Sequence, residues 1–141
     1  KRFKNVRWAL IEDCITYNVR AIIAHNARFD YIACQTTQRW LTSSKSRWFF
    51  PYGIMIWDTL KMSRQIFGKD ENYLKFCSEN GFCVNDNPKR PRFTAEILYK
   101  YLTQNLDFEE AHTGLEDTLI EKEIFKECMR RNSEIEKSPW S

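Results

Sequence analysis

The stretch Ala111-His112-Thr113-Gly114-Leu115-Glu116-Asp117 predicts the start of a long helix, from which the rest of the chain can be interpreted. Apolar residues recur at helical spacing after it, as in an amphipathic helix. Thr113 takes the N-cap position and Glu116 lies three residues later, which is the spacing of a capping box. His112 and Asp117 occupy two positions that usually hold an apolar pair, and such departures concentrate at functional sites.

A second junction of the same kind lies earlier, at Ala24-His25-Asn26-Ala27-Arg28-Phe29-Asp30, directly after a short apolar run. Asn26 is a favourable N-cap residue. His25 and Asp30 then take the places that the histidine and the aspartate take in the first stretch. Because both junctions present an acid near a helix start, we expect the two acids to converge on one site.

The composition indicates one domain spanning residues 1–141, with 43% hydrophobic and 15% aromatic residues. Such a chain folds into a globule and is not disordered. The net charge of +3 permits an anionic partner without favouring one. No apolar run approaches the roughly 20 residues of a membrane span, so no membrane association is expected. The segment Lys1–Arg7 is not followed by the apolar core of a signal peptide.

The cysteines are five in number and widely spaced, and only two histidines occur. No Cys-x-x-Cys pair is present, so a zinc site is not expected. The pattern is typical of reduced, packed thiols, and we predict a cytoplasmic protein.

The periodicity of apolar residues predicts an α/β chain that is rich in helices and has two buried strands. Two strands separated by a helix favour parallel pairing through a right-handed crossover. Because a sheet usually needs three or more strands, we expect the fold to be incomplete and one strand edge to be open or covered by a partner. The predicted order is helix 3–19, strand 20–24, helix 27–41, strand 54–57 and four further helices, the last fraying into a polar tail.

Two of the three longer loops allow more than one interpretation. Residues 42–47 form a polar connection. The aromatic cluster at 48–53 favours packing, with base stacking as the alternative. The basic segment 86–92 favours a solvated connection, with a phosphate clamp as the alternative.

Together, the motifs resemble those of the DEDDh-type, DnaQ-like 3′–5′ exonucleases, which have a ribonuclease H-like fold. The segment 24–30 is similar to the second family motif, a strand followed by His-Asn-x-x-Phe-Asp. Ile56-Trp57-Asp58-Thr59-Leu60 is similar to the next family strand, and 111–117 to the third motif, a histidine followed by an aspartate five residues later. The helix around 73–77 also fits. The resemblance extends over about residues 20 to 130.

This resemblance implies hydrolysis of a nucleic-acid phosphodiester from the 3′ end, in the manner of a DNA polymerase proofreading domain, with two Mg²⁺ or Mn²⁺ ions. Asp30 and Asp117 would be the metal ligands and His112 the general base. Asn26 and Phe29 would shape the pocket for the 3′-terminal nucleotide. The implied substrate is single-stranded or 3′-terminal nucleic acid.

The chain departs from the family at the first motif. No strand bearing Asp-x-Glu precedes the motif at 24–30, so the sequence resembles the C-terminal part of such a domain. The first motif would lie upstream or on another chain, or it has been lost, and the isolated chain is expected to be a poor enzyme. The alternative is a non-catalytic module of the same fold that binds a protein or nucleic-acid partner.

Ordinary structural roles remain open for each of these side chains. Asp30 and Asp117 can be surface acids in an early helix turn, and His112 a loop histidine. His25 is expected to pack or bond locally. Asp58 is expected to start a helix and not to bind a metal ion.

Overall fold

The computed structural model describes residues 2–43 and 47–140, so part of the polar connection predicted at 42–47 lies outside the described residues. The helices and strands follow the predicted order. They are α1 (Phe3–Thr16), β1 (Ala21–Ala24), α2 (Ala27–Leu41), β2 (Met55–Asp58), α3 (Thr59–Phe67), α4 (Glu71–Glu79), α5 (Ala95–Thr103) and α6 (Gly114–Arg131), with a short 3₁₀ turn at Val84–Asp86.

The sheet consists of β1 and β2, which pair in parallel with Ala21 opposite Met55 and Ala24 opposite Asp58. The helix α2 forms the crossover between them, so the predicted parallel pairing is confirmed, with each strand shifted by about one residue. The chain is therefore α/β and helix-rich. Elsewhere in the described part of the chain, strand pairing is limited to an isolated bridge between Cys83 and Pro91.

Neither strand is fully buried, in contrast to the prediction. All four residues of β1 are half-buried, and the side chain of Met55 in β2 is 48% exposed. A strand becomes fully buried when layers cover both of its faces and strands cover both of its edges. A sheet of two strands cannot supply that cover, so apolar strand surface remains open.

The hydrophobic core lies mainly among α3, α4, α5 and α6 and not on the sheet. Its largest side chains are fully enclosed, and each contributes roughly 1.5–3 kcal/mol through removal from water. Members of this core include Met62, Phe67, Tyr73, Leu98 and Ile124. The helix α6 packs against both α3 and α5.

The segment after α6 is packed, and the prediction that it frays was wrong. The helix ends at Arg131, and the side chain of Asn132 accepts a hydrogen bond from the backbone N–H of Glu134. Such local bonds compete with helix continuation. Ile135 is only 5% exposed, and the carbonyl of Lys137 accepts a hydrogen bond of 2.8 Å from the N–H of Asp58. The segment thus covers the end of the outer β2 edge.

The helix α1 buries few of its apolar side chains. It ends at Thr16, earlier than predicted, because Asn18 takes a left-handed backbone with φ of 49°. Cys14 is its one buried residue, while Trp8 and Ile15 are exposed. None of the helices within 2–43 and 47–140 combines the length and the apolar character needed to cross a membrane.

Candidate active site

The junction between β1 and α2 is held by Asp58. Its Oδ1 accepts hydrogen bonds of 2.9 Å from the backbone N–H groups of Asn26 and Leu60. Asp58 is the N-cap of α3, so the prediction that it starts a helix is confirmed. The prediction that the Asn26 side chain caps α2 was wrong: Asn26 has φ of 67°, and its side chain makes no capping hydrogen bond. The bond from Asp58 to its N–H fixes this left-handed turn.

His25 joins three parts of the fold. Its Nε2 lies 2.7 Å from the carbonyl oxygen of Phe93, and its Nδ1 lies 3.0 Å from Oγ1 of Thr59. Because a carbonyl can only accept, Nε2 carries the hydrogen and Nδ1 accepts from the hydroxyl. Burial lowers the pKa of His25, which favours the neutral ring. Of the two expected alternatives, packing or local bonding, the ring follows the first, and its hydrogen-bond partners lie far away in sequence.

The start of α6 shows a modified capping box. Oγ1 of Thr113 accepts a hydrogen bond of 3.4 Å from the N–H of Glu116, as predicted. The carboxylate of Glu116 bonds to the N–H of Ala111, at 3.1 Å, and not to the N–H of Thr113. The chain makes this turn because His112 adopts a left-handed backbone with φ of 53°. The carboxylate of Glu116 therefore fixes the loop that presents His112.

The two predicted acids lie around a third one, Glu121. Burial, together with the negative charges of Asp30, Asp117 and Glu110, raises the pKa of Glu121 to about 7. A hydrogen bond from the backbone N–H of His25 acts in the opposite direction. The structure therefore brings Asp30 and Asp117 close enough to act on one half-buried carboxyl group. The sequence interpretation missed Glu121, although it lies four residues after Asp117 and so on the same helix face.

Asp117 carries an unpartnered polar atom. Its Oδ1 is buried and has no hydrogen-bond partner among the described residues. Burial raises the pKa of the neighbouring Glu110, and a hydrogen bond to Asp117 together with the charge of Asp117 raises it further. Burial and the charge of Asp58 also raise the pKa of Asp30, against a backbone hydrogen bond that lowers it. Carboxylates thus raise the pKa of one another here.

His112 lies on the solvent side of these acids. Its side chain is 78% exposed, and its Nδ1 lies 3.8 Å from Oε2 of Glu110. Glu110 thus interacts with both His112 and Asp117. The two residues predicted to bind nucleotide, Asn26 and Phe29, are also exposed.

The acids do not by themselves form a metal centre. Within the part of the chain that the structure describes, no three His, Cys, Asp or Glu side chains come together in a way that could hold a metal ion. The sequence contains one Asp-x-Glu, Asp107-Phe108-Glu109, but it lies in the loop before α6 and not on a strand. The predicted ligands Asp30 and Asp117 therefore need further ligands to hold Mg²⁺ or Mn²⁺.

All five cysteines are free thiols. Burial raises the pKa of both Cys77 and Cys128 to about 11, so these thiols are protonated at neutral pH and are poor nucleophiles. Cys77 and Cys128 therefore contribute to packing and not to the candidate site.

No protein-family model, no curated protein and no solved structure matches this chain. The resemblance to DEDDh-type exonucleases therefore depends on the three motifs alone. Membership of that family, and the ribonuclease H-like fold in particular, stay predictions.

Proposed function

We propose that this chain is part of a metal-dependent 3′–5′ exonuclease domain with a ribonuclease H-like fold, acting on nucleic acid in the manner of a polymerase proofreading domain. The observation that carries the proposal is the convergence of Asp30 and Asp117 on Glu121. The two aspartates come from separate strand-or-loop to helix junctions, and both influence the same carboxyl group. Acids gathered in this way, with perturbed pKa values, are typical of functional sites.

The grouping of acids costs stability, which favours a functional reason for it. Like charges close together disfavour the ionised form of each other, and an unpartnered buried oxygen such as Oδ1 of Asp117 costs roughly 1–3 kcal/mol. A divalent cation would remove both penalties. In the proposal, Mg²⁺ or Mn²⁺ binds Asp30 and Asp117 together with carboxylates from an Asp-x-Glu strand upstream or on another chain.

His112 is the proposed general base. An exposed imidazole can accept a proton from water near neutral pH. The bonded loop at Ala111 limits where the ring can lie, and Glu110 contacts it from the protein side. In the same proposal, the exposed side chains of Asn26 and Phe29 contact the 3′-terminal nucleotide, because they adjoin Asp30 on the first turn of α2.

A non-catalytic binding module is the second candidate. It is favoured by the lack of a three-ligand metal group among residues 2–43 and 47–140 and by the exposed apolar side chains of α1. Exposed apolar surface of this kind marks interaction sites. In that case, the open edge and faces of the sheet would bind a protein partner, and the acids would be a remnant.

A nuclease assay on a 3′-labelled oligonucleotide distinguishes the two candidates. We expect the 141-residue chain to release label poorly with Mg²⁺ or Mn²⁺, and a version extended upstream of Lys1 to release it efficiently. Substituting His112→Ala in the extended version should reduce the rate by roughly 10²- to 10⁴-fold, the usual contribution of a general base. Asp107→Ala, in the same loop region, is the matched control and should keep the rate.

Two outcomes would contradict this proposal. Efficient, His112-dependent cleavage by the 141-residue chain alone would show that no further motif is needed. An inactive extended version that contains an Asp-x-Glu strand would favour the binding module.

A further inference from the structure

A shallow depression of about 400 Å³ lies at the β1–α2 junction, where His25 and Asn26 form part of its lining. Its apolar floor includes Leu60, Val84 and Phe93. Two arginines, Arg64 and Arg92, line it as well. The depression therefore combines an apolar surface with positive charge, next to the junction that carries the candidate metal ligand.

The loop that bears Arg92 is held in place by its backbone. The N–H of Arg92 bonds to the carbonyl of Phe82 at 2.9 Å, and its carbonyl accepts a hydrogen bond of 2.6 Å from the hydroxyl of the fully buried Tyr73. The next carbonyl, that of Phe93, accepts from His25. A loop fixed at so many points loses little freedom when it binds a ligand. The backbone of this loop is therefore fixed, while its charged side chains are in solvent.

The cations near the depression are not neutralised by acids. Lys89, Arg90, Arg92 and Arg64 are all exposed. None of the ion pairs formed by the described residues involves them, whereas Arg130 and Arg131 both bond to a glutamate. Asp86 is the one acid in the loop that contains the first three cations. Unpaired cations on a fixed loop are available for an anionic ligand.

We propose that this depression binds a single-stranded nucleic-acid segment next to the 3′ terminus, with phosphates on Arg64 and Arg92 and a sugar or base against Leu60, Val84 and Phe93. A nucleotide unit has both an anionic group and a flat apolar face, which matches the two parts of the depression. The bases of a duplex are stacked and unavailable for such a contact, so a single strand is the substrate class. The proposal rests on the proposed function, because it adds a binding subsite for the same substrate.

Binding in EDTA tests the proposal without any cleavage. The probe is a short oligothymidylate carrying 5′-fluorescein, and its anisotropy is titrated with the 141-residue chain at several salt concentrations. We expect Arg64→Ala and Arg92→Ala each to weaken binding several-fold. Each should also lower the slope of log K against log salt by about 0.7, the value for one phosphate contact on a single strand.

Arg39→Ala is the matched control. This exposed arginine lies about 18 Å along α2 from Ala27, the first residue of the helix, and therefore far from the junction. It should leave affinity and slope unchanged. Thermal unfolding of each variant checks the fold, and Arg92→Gln, which keeps more of the side-chain length, repeats the test if Arg92→Ala is unstable.

Three results would overturn the proposal. The first two are no oligonucleotide binding by the wild type, and an effect of Arg39→Ala on affinity equal to that of the two test variants. The third is equally tight binding of a labelled polyglutamate with the same dependence on Arg64 and Arg92. The last would indicate an acidic protein partner. Failure of the proposed function is seen separately, as an extended version that binds oligonucleotide through these arginines but does not cleave it.

Discussion

Oδ1 of Asp58 accepts a hydrogen bond of 2.9 Å from the backbone N–H of Asn26, and this contact joins the turn after β1 to the end of β2. The same oxygen caps α3 through Leu60. One carboxylate thereby fixes the left-handed residue that directs α2 and the angle at which α3 leaves the sheet. The position of Asp30, four residues after Asn26, depends on it.

We therefore expect Asp58→Ala to destabilise the fold by about 2–3 kcal/mol, since it removes a helix cap and leaves the N–H of Asn26 without its partner. Thr94→Ala is the control, because Thr94 caps α5 with a single bond to Ile97. It should cost only about 1 kcal/mol. Urea unfolding measures both, and equal losses would show that the bond to Asn26 contributes nothing.

The pH dependence of stability should reveal Glu121. Its pKa rises from the ordinary 4.5 to about 7 on folding, so between these values the native state binds more protons than the unfolded state. The stabilisation of the native state by protonated Glu121 is therefore fully present below about pH 4.5. It is lost as the pH rises to 7. The loss should be about 1–2 kcal/mol, because the carboxyl is only half-buried and its charge is partly screened.

Glu121→Gln should flatten this decline and make the protein more stable than wild type at pH 8. Glu123→Gln is the control, since Glu123 is paired with Lys126 in solvent. Urea unfolding from pH 4 to pH 8 gives the comparison. Parallel stability curves for wild type and Glu121→Gln would rule out an elevated pKa at this position.

The elements and their order could be predicted because each carries its own periodic pattern and stop signal. The runs at 20–24 and 54–57 are short and apolar, and parallel pairing could be predicted because a helix connects them. The capping function of Asp58 was also visible, because it depends on neighbours in sequence.

Contacts between distant segments could not be predicted. The bond from His25 to Phe93 joins residues separated by 68 positions, and no local pattern indicates it. Glu121 resembles any polar residue on a helix, and its burial depends on how α6 meets the end of β1. Ile135 is a single apolar residue in a polar segment, which gives no periodicity to detect.

Asp117→Asn should increase stability by about 0.5–1.5 kcal/mol, because a neutral amide removes the like charge beside Glu110 and can donate a hydrogen bond to it. In an active version extended upstream of Lys1, the same substitution should abolish cleavage, because it removes a proposed metal ligand. Residues needed for function often lower stability in this way. Urea unfolding and the nuclease assay provide the two readouts. Asp107→Asn, an exposed acid in the preceding loop, should change neither, and a destabilised Asp117→Asn would show that the carboxylate has a structural partner.

Ile135→Ala tests whether the segment after α6 is part of the fold. Ile135 is 5% exposed and belongs to the core cluster, so truncation should cost about 2–4 kcal/mol through lost burial and a residual cavity. Ile15→Ala, at a side chain that is 76% exposed, should cost less than about 0.5 kcal/mol. Urea unfolding compares the two variants.

Since the carbonyl of Lys137 bonds to the N–H of Asp58, loosening the segment after α6 should also expose the β2 edge and promote aggregation, which light scattering detects. Equal stabilities for the two variants would mean that the segment does not pack in solution.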